Sequence, residues 1–113
     1  MRPGIGSDRF DLSSRRWVLG REVPVARGYR VRLLGLAGLR REQAGAGLLL
    51  PRCASVHTFG MRFRLDLVFL DSSGRPLAVL RDVSPCRLAG HRGAAAVLEI
   101  PSAQGGESAA PGT

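Results

Sequence analysis

The chain contains no lysine. All 17 of its basic residues are arginine, set against 9 acidic residues for a net charge of +8. Together with abundant Ala and Gly, this bias reads as the base composition of a genome, so the choice of Arg over Lys is not taken as chemistry. Aromatic residues are also scarce: Phe10, Trp17, Tyr29, Phe59, Phe63 and Phe69 are the whole set. The core must therefore be built from Leu, Val and Ala. Long apolar runs are missing too. "GAGLLLP" and "AAAVLEI" fall far short of the roughly 20 residues that a membrane-crossing helix needs. The opening stretch "MRPGIGSDRFDLSSRR" lacks the apolar centre of a secretory leader. A cytoplasmic location follows as the expectation. Thiols stay reduced there, so Cys53 and Cys86 are expected to be free. No C-x2-C knuckle, RNP aromatic pattern or helix-turn-helix spacing occurs, which removes the best-marked zinc and nucleic-acid folds.

What is present fits one domain. A chain of 113 residues buries roughly two-thirds of its unfolded surface, enough for a real core. Residues 1–15 are polar, punctuated by Gly and Pro, and read as a loose arm. Residues 101–113, "PSAQGGESAAPGT", bury too little apolar surface to offset their ordering entropy and read as a disordered tail. The folded part is expected over residues 16–100. Charge is uneven along the chain. Residues 1–52 carry eleven Arg against Asp8, Asp11, Glu22 and Glu42, whereas residues 53–113 carry six Arg against five acids.

Strand patterns dominate. "RWVLGREVPVA" reads as a strand, a turn at Gly20 and a second extended piece. Tyr29, Leu33 and Leu36 lie at helical spacing and predict one short helix, ended by Gly35 or Gly38. "GLLLP" is a short buried strand stopped by Pro51. In "FRLDLVFL", Phe63, Leu65, Leu67 and Phe69 alternate with Arg64, Asp66, Val68 and Leu70, which puts the two sets on opposite sheet faces. "DSSG" makes a tight turn, with Asp71 accepting backbone hydrogen bonds and Gly74 supplying positive φ. "RPLAVLRDV" then returns as the partner of a β-hairpin. "AAAVLEI", residues 94–100, is a final strand. The expected class is mainly β, at the border of α+β.

The order of these pieces resembles the bacterial and archaeal family catalogued as domain of unknown function 192. The resemblance is carried by Arg32-Leu33-Leu34-Gly35-Leu36, by the Gly47 to Leu50 strand followed by Cys53, by "SVHTFGM" and "LDLVFLD" between Ser55 and Asp71, and by "VLEI" near the end. It implies a compact antiparallel, barrel-like sandwich with one short helix. It implies no catalytic residues, because the family has no assigned activity. Members usually continue after "VLEI" with a Gly-rich turn and a Gly-Asp segment. The divergent tail here therefore implies a lost final strand and an open sheet edge.

Several residue groups invite chemistry. Cys53 with His57 (C-x3-H) and Cys86 with His91 (C-x4-H) supply the donors of a Cys2His2 zinc site, though the pairs are far apart; no other cofactor is expected. Cys53 with His57 also suggests a nucleophile and base, but positions four apart on a strand lie roughly 13 Å apart. "HTFGM" has a structural reading: Gly60 marks a corner, His57 and Thr58 satisfy backbone groups there, and Met61 fills a gap. The alternative is a pocket lined by His57, Phe59 and Met61. Asp66 needs a partner on its partly apolar face, either Arg64 or an Arg from another strand, and Glu99 poses the same problem. His57, Asp66 and Glu99, if gathered, would support acid–base or metal-assisted hydrolysis. Structural ion pairs are the commoner use of such carboxylates. Arg15, Arg16, Arg21, Arg27, Arg30, Arg32, Arg40 and Arg41 offer phosphates a basic face. The leading expectation is a non-enzymatic binding or accessory module for a protein or small molecule. A small hydrolase and a nonspecific polyanion binder are the alternatives.

Overall fold

The computed structural model describes residues 15–26 and 35–103. Its elements are β1 (Arg15–Val18), β2 (Arg21–Pro24), α1 (Arg41–Ala44), β3 (Leu48–Pro51), β4 (Ser55–His57), β5 (Leu65–Leu70), β6 (Pro76–Val83), β7 (Leu88–Gly90) and β8 (Ala96–Pro101). The class is mainly β with a short helix, as the strand patterns predict.

The centre is an antiparallel four-stranded sheet in the order β3-β8-β5-β6. Period-two alternation along β5 sets its two faces. Leu65, Leu67 and Phe69 join Leu48, Leu50 and Val97 on one face, under Leu36, Leu39 and Phe63. Val68 and Leu70 join Leu49 and Leu98 on the other, against Val18 and Val23 of the β1–β2 hairpin. Each fully buried Leu contributes roughly 2 kcal/mol through apolar area removed from water. The small β4–β7 sheet lies over the first face, where Val56 and Ala89 pack. The result is a layered sandwich; among the described residues the strands do not close into a barrel.

Local chemistry explains the connections. Leu19 and Gly20 both have positive φ, 50° and 82°, the backbone of a two-residue type I′ turn whose twist suits a hairpin. After β5, the Asp71 carboxylate accepts from the Ser73 N–H (2.8 Å), the Ser73 hydroxyl (2.7 Å) and the Arg75 N–H (2.9 Å). Gly74, at φ 87°, completes this turn into β6. In front of α1, the Arg40 N–H donates to Gln43 Oε1 at 2.9 Å.

Two expectations shift. The helix read from Tyr29, Leu33 and Leu36 falls mainly on residues 29–34, outside the described residues; residues 35–38 form a turn, with Leu36 fully buried. The described helix is instead the single turn α1. The last strand ends at Pro101, and Ser102 beyond it is buried, its hydroxyl donating to Asp82 Oδ1 at 2.9 Å. Within the sheet, β8 is paired on both sides, by β3 and by β5, and the long strand with one partner is β6; the segment where a lost final strand is expected lies outside the described residues. Residues 1–14 and 104–113, the bulk of the expected arm and tail, lie outside the described residues.

Candidate functional site

The corner after β4 is built from the residues of "HTFGM". Thr58 is buried and sits at its hub. Its hydroxyl donates to Ser84 O (2.8 Å) and accepts from the Arg87 N–H (2.8 Å), while its carbonyl accepts from the N–H groups of Cys86 (3.0 Å) and Met61 (3.2 Å). His57 Nδ1 accepts from the Phe59 N–H at 3.2 Å, and the two rings stack with centroids 5.3 Å apart. Gly60 has φ 79°, and its carbonyl accepts from the Gly38 N–H at 2.9 Å. The polar atoms of the motif thus hold the chain's change of direction.

The residues expected to line one pocket are dispersed. Phe59 is exposed and rests on His57, but Met61 is buried in the core. Asp66 and Glu99 occupy opposite sheet faces, because Asp66 pairs with Ile100 while Leu67 pairs with Glu99. Asp66 finds its cation on another strand: Arg81 Nη1 lies 3.5 Å from Oδ2, and Oδ1 accepts from the Asp82 N–H at 2.8 Å. Arg64 instead reaches Asp82, with Nη1 3.2 Å from its carbonyl oxygen. Glu99 is 3% exposed. Burial pushes its carboxyl up to about 7, opposed by a hydrogen bond from the Leu36 backbone, and among the described residues its Oε1 has no hydrogen-bond partner.

Cys53 and Cys86 are both free thiols. Cys53 Sγ donates to Ser55 O at 3.1 Å, and His91 Nδ1 accepts from the Gly93 N–H at 3.2 Å. Among the described residues, no three His, Cys, Asp or Glu side chains gather as a metal-binding group. The Cys53, His57, Cys86 and His91 donors are therefore not assembled here.

The basic half is partly committed. Arg15 pairs with Glu22 at 3.7 Å, Arg21 donates to Ala46 O at 3.0 Å and Arg40 pairs with Glu42 at 3.2 Å. Arg41 opens α1, and Arg27, Arg30 and Arg32 lie outside the described residues. Arg16 differs: among the described residues its guanidinium has no hydrogen-bond or ion-pair partner. It lines a cavity of about 260 Å³ between the β1–β2 hairpin and the 71–74 turn. The floor is apolar, formed by Val18, Leu49, Leu70 and Ala96; the rim carries Arg16, Trp17, Arg52 and Ser72. The Ser72 hydroxyl and N–H likewise have no partner among the described residues. A concave site with an apolar floor and a few open donors suits a small anion-bearing ligand. Sequence reasoning registered Arg16 only as one of many basic residues and Trp17 only as a strand former. The one available signal was the "RRW" run, basic residues beside an aromatic ahead of a hairpin turn.

This architecture defines a small antiparallel β domain with a cleft whose rim carries Arg16 and Arg52. The chain belongs to the domain of unknown function 192 family, described as "Uncharacterized ACR", which it matches over residues 13–108. Two solved structures are similar. A protein of unknown function from Novosphingobium aromaticivorans DSM 12444 aligns with a TM-score of 0.63 at 20% identity, over 74% of this chain and 66% of that one. A Sinorhizobium meliloti 1021 protein described as a "putative transcription regulator" aligns with a TM-score of 0.64 at 22% identity, over 88% of this chain and 84% of that one. At these identities the likeness is one of fold. A search of curated proteins gave no match. No helix among the described residues is long and apolar enough to cross a membrane.

Proposed function

We propose that this domain is a non-enzymatic binding module that takes an anionic ligand in the cleft between the β1–β2 hairpin and the 71–74 turn. One observation carries the reading: an Arg16 guanidinium and a Ser72 that have no partner among the described residues share the rim of an apolar-floored cavity. A free guanidinium beside open donors is what a phosphate or carboxylate requires for charge-assisted hydrogen bonds. The net charge of +8 adds long-range attraction for such ligands. The hydrolase alternative is less well supported, since His57 is engaged at its corner and Asp66 and Glu99 face away from each other.

The test is a titration of the protein with inorganic pyrophosphate at low ionic strength, followed by amide chemical shifts. Saturable shifts at Arg16, Ser72 and Ser73, weakened by salt and lost in Arg16→Glu, are expected. A wild-type spectrum unmoved by pyrophosphate would sink the reading. A second reading, docking of a partner protein on the β4–β7 face, rests on Leu88, which is 76% exposed directly opposite His57. Shifts confined to Val56, His57 and Leu88 when a partner is added would favour it.

A further inference from the structure

The cleft also carries a feature that a simple anion site does not need. Trp17, the only tryptophan in the chain, stands at its rim and is 72% exposed. An indole placed there gains little from the core, and the aromatics of this chain are few. Its neighbour Leu19 is also exposed, at a positive φ of 50°. Arg52, on the opposite rim, has a positive φ of 51°. Among the described residues only four non-glycine positions adopt this conformation, and two of them line this one cavity.

We propose that the cleft binds a nucleotide unit, its phosphate held by Arg16 and Ser72 and its base stacked on Trp17. The inference rests on the anion-binding reading and names its ligand. Bases stack on exposed aromatic rings without needing a fixed sequence, while guanidinium groups hold the backbone phosphate. The size agrees. About 260 Å³ lies just below the roughly 300–1,000 Å³ of sites that enclose a whole drug-sized ligand. Such a cleft seats the phosphate and sugar edge and leaves the ring outside, on the indole. The charges agree as well. Two guanidiniums, Arg16 and Arg52, line the cavity against one acid, Asp71, whose Oδ1 accepts from Ser73 and Arg75. The same bonds occupy the Ser73 hydroxyl, so the phosphate belongs on the Arg16 and Ser72 side. The unit is either a free mononucleotide or one link of a single strand, since both present the same ring and phosphate.

Because Trp17 is the only tryptophan, intrinsic fluorescence reads the site directly. Thymidine monophosphate, an eight-residue oligothymidylate and inorganic pyrophosphate are titrated into wild type and Arg16→Glu. Saturable quenching by the nucleotides, at least several-fold weaker in Arg16→Glu, is expected. Fluorescence anisotropy of a labelled oligothymidylate on Trp17→Ala supplies the second arm, where loss of one stacked base lowers affinity about tenfold or more. An oligonucleotide that binds far more tightly than the monophosphate, with a steep salt dependence, identifies the single strand as the source; equal affinities identify the free nucleotide. Pyrophosphate binding as tightly as thymidine monophosphate, with Trp17→Ala unaffected, overturns the nucleotide inference and leaves the anion site standing. No saturable response to any of the three overturns both.

Discussion

Asp71 and Glu99 are the same kind of acid placed in opposite situations. Asp71 is half-buried at the end of β5 and collects three hydrogen bonds from Ser73 and Arg75. The bond from the Ser73 hydroxyl, first among its causes, holds its carboxyl below the ordinary range. Glu99 lies in the middle of β8, buried, with Oε1 unpartnered among the described residues and its carboxyl raised to about 7. Proximity in sequence gives Asp71 its partners, whereas three separate segments fix the surroundings of Glu99. Gly35 and Gly47 make room for it: a Cβ on Gly35 would stand 2.8 Å from Oε1, and one on Gly47 would stand 2.5 Å from the Glu99 carbonyl oxygen. A turn carboxylate is thus a local device, and a buried one is a property of the assembled sheet.

The largest expected effect comes from breaking the backbone approach around Glu99. Gly47 has φ 133°, and the atom its Cβ would meet is backbone, so no side-chain rotation relieves the clash. Gly47→Ala should force β3 away from β8 and cost about 4 kcal/mol, at the severe end for a single substitution. Urea unfolding of wild type and variant measures it; a loss below about 1 kcal/mol would show that the two strands part easily.

Next in size is the pH response of Glu99. The folded chain holds the Glu99 proton more tightly than the unfolded chain, with its carboxyl raised from 4.5 to about 7. Between those values the folded state binds more protons, so this contribution to stability is full below pH 4.5 and is lost as pH rises through 7. The loss amounts to about 3 kcal/mol. Glu99→Gln, which cannot ionise, should remove this slope and be more stable than wild type at pH 8. Parallel pH–stability curves for the two proteins would contradict the assignment.

Gly35→Ala should have a middle-sized effect of about 1–2 kcal/mol, from the strain of φ 55° and from displacement of the Glu99 carboxylate. The second part depends on Glu99, so a double-mutant cycle with Glu99→Ala should recover at least about 0.5 kcal/mol of coupling. Additivity within error would mean that strain alone accounts for the cost.

The same contrast explains what could be read before folding was known. The β5–β6 hairpin was legible because the alternation of Leu65, Leu67 and Phe69 and the turn chemistry of Asp71 are local. The corner at Thr58 and Gly60 was legible for the same reason. The relation of Asp66 to Glu99 was not, since it depends on the register of β8 against β5, and a shift of one residue flips every side chain to the other face. The β4–β7 pair was missed because each strand is three residues long, too short to show a period. The cleft combines the β1–β2 hairpin, the start of the Arg52 loop and the 71–74 turn. Each piece reads as ordinary loop or strand by itself, and only the packing of the hairpin on the second sheet face brings Arg16, Trp17 and Ser72 to one rim.

The smallest expected effect completes the contrast at Asp71. Hydrogen bonds to its ionised form lower its pKa below 3.8, so its contribution is present above that value and is lost as the pH falls further. Its slope therefore runs opposite to that of Glu99 and lies in a more acidic window. Asp71→Asn keeps an oxygen acceptor for the Ser73 and Arg75 N–H groups but removes the charge. It should lower the melting temperature slightly at pH 7, by an amount that shrinks as the pH falls below 3.8. Because Asp71 lies at the surface, in contact with solvent, salt should shrink the difference further. A difference that stays constant as the pH falls would mean that the turn depends on the shape of Asp71 and not on its charge.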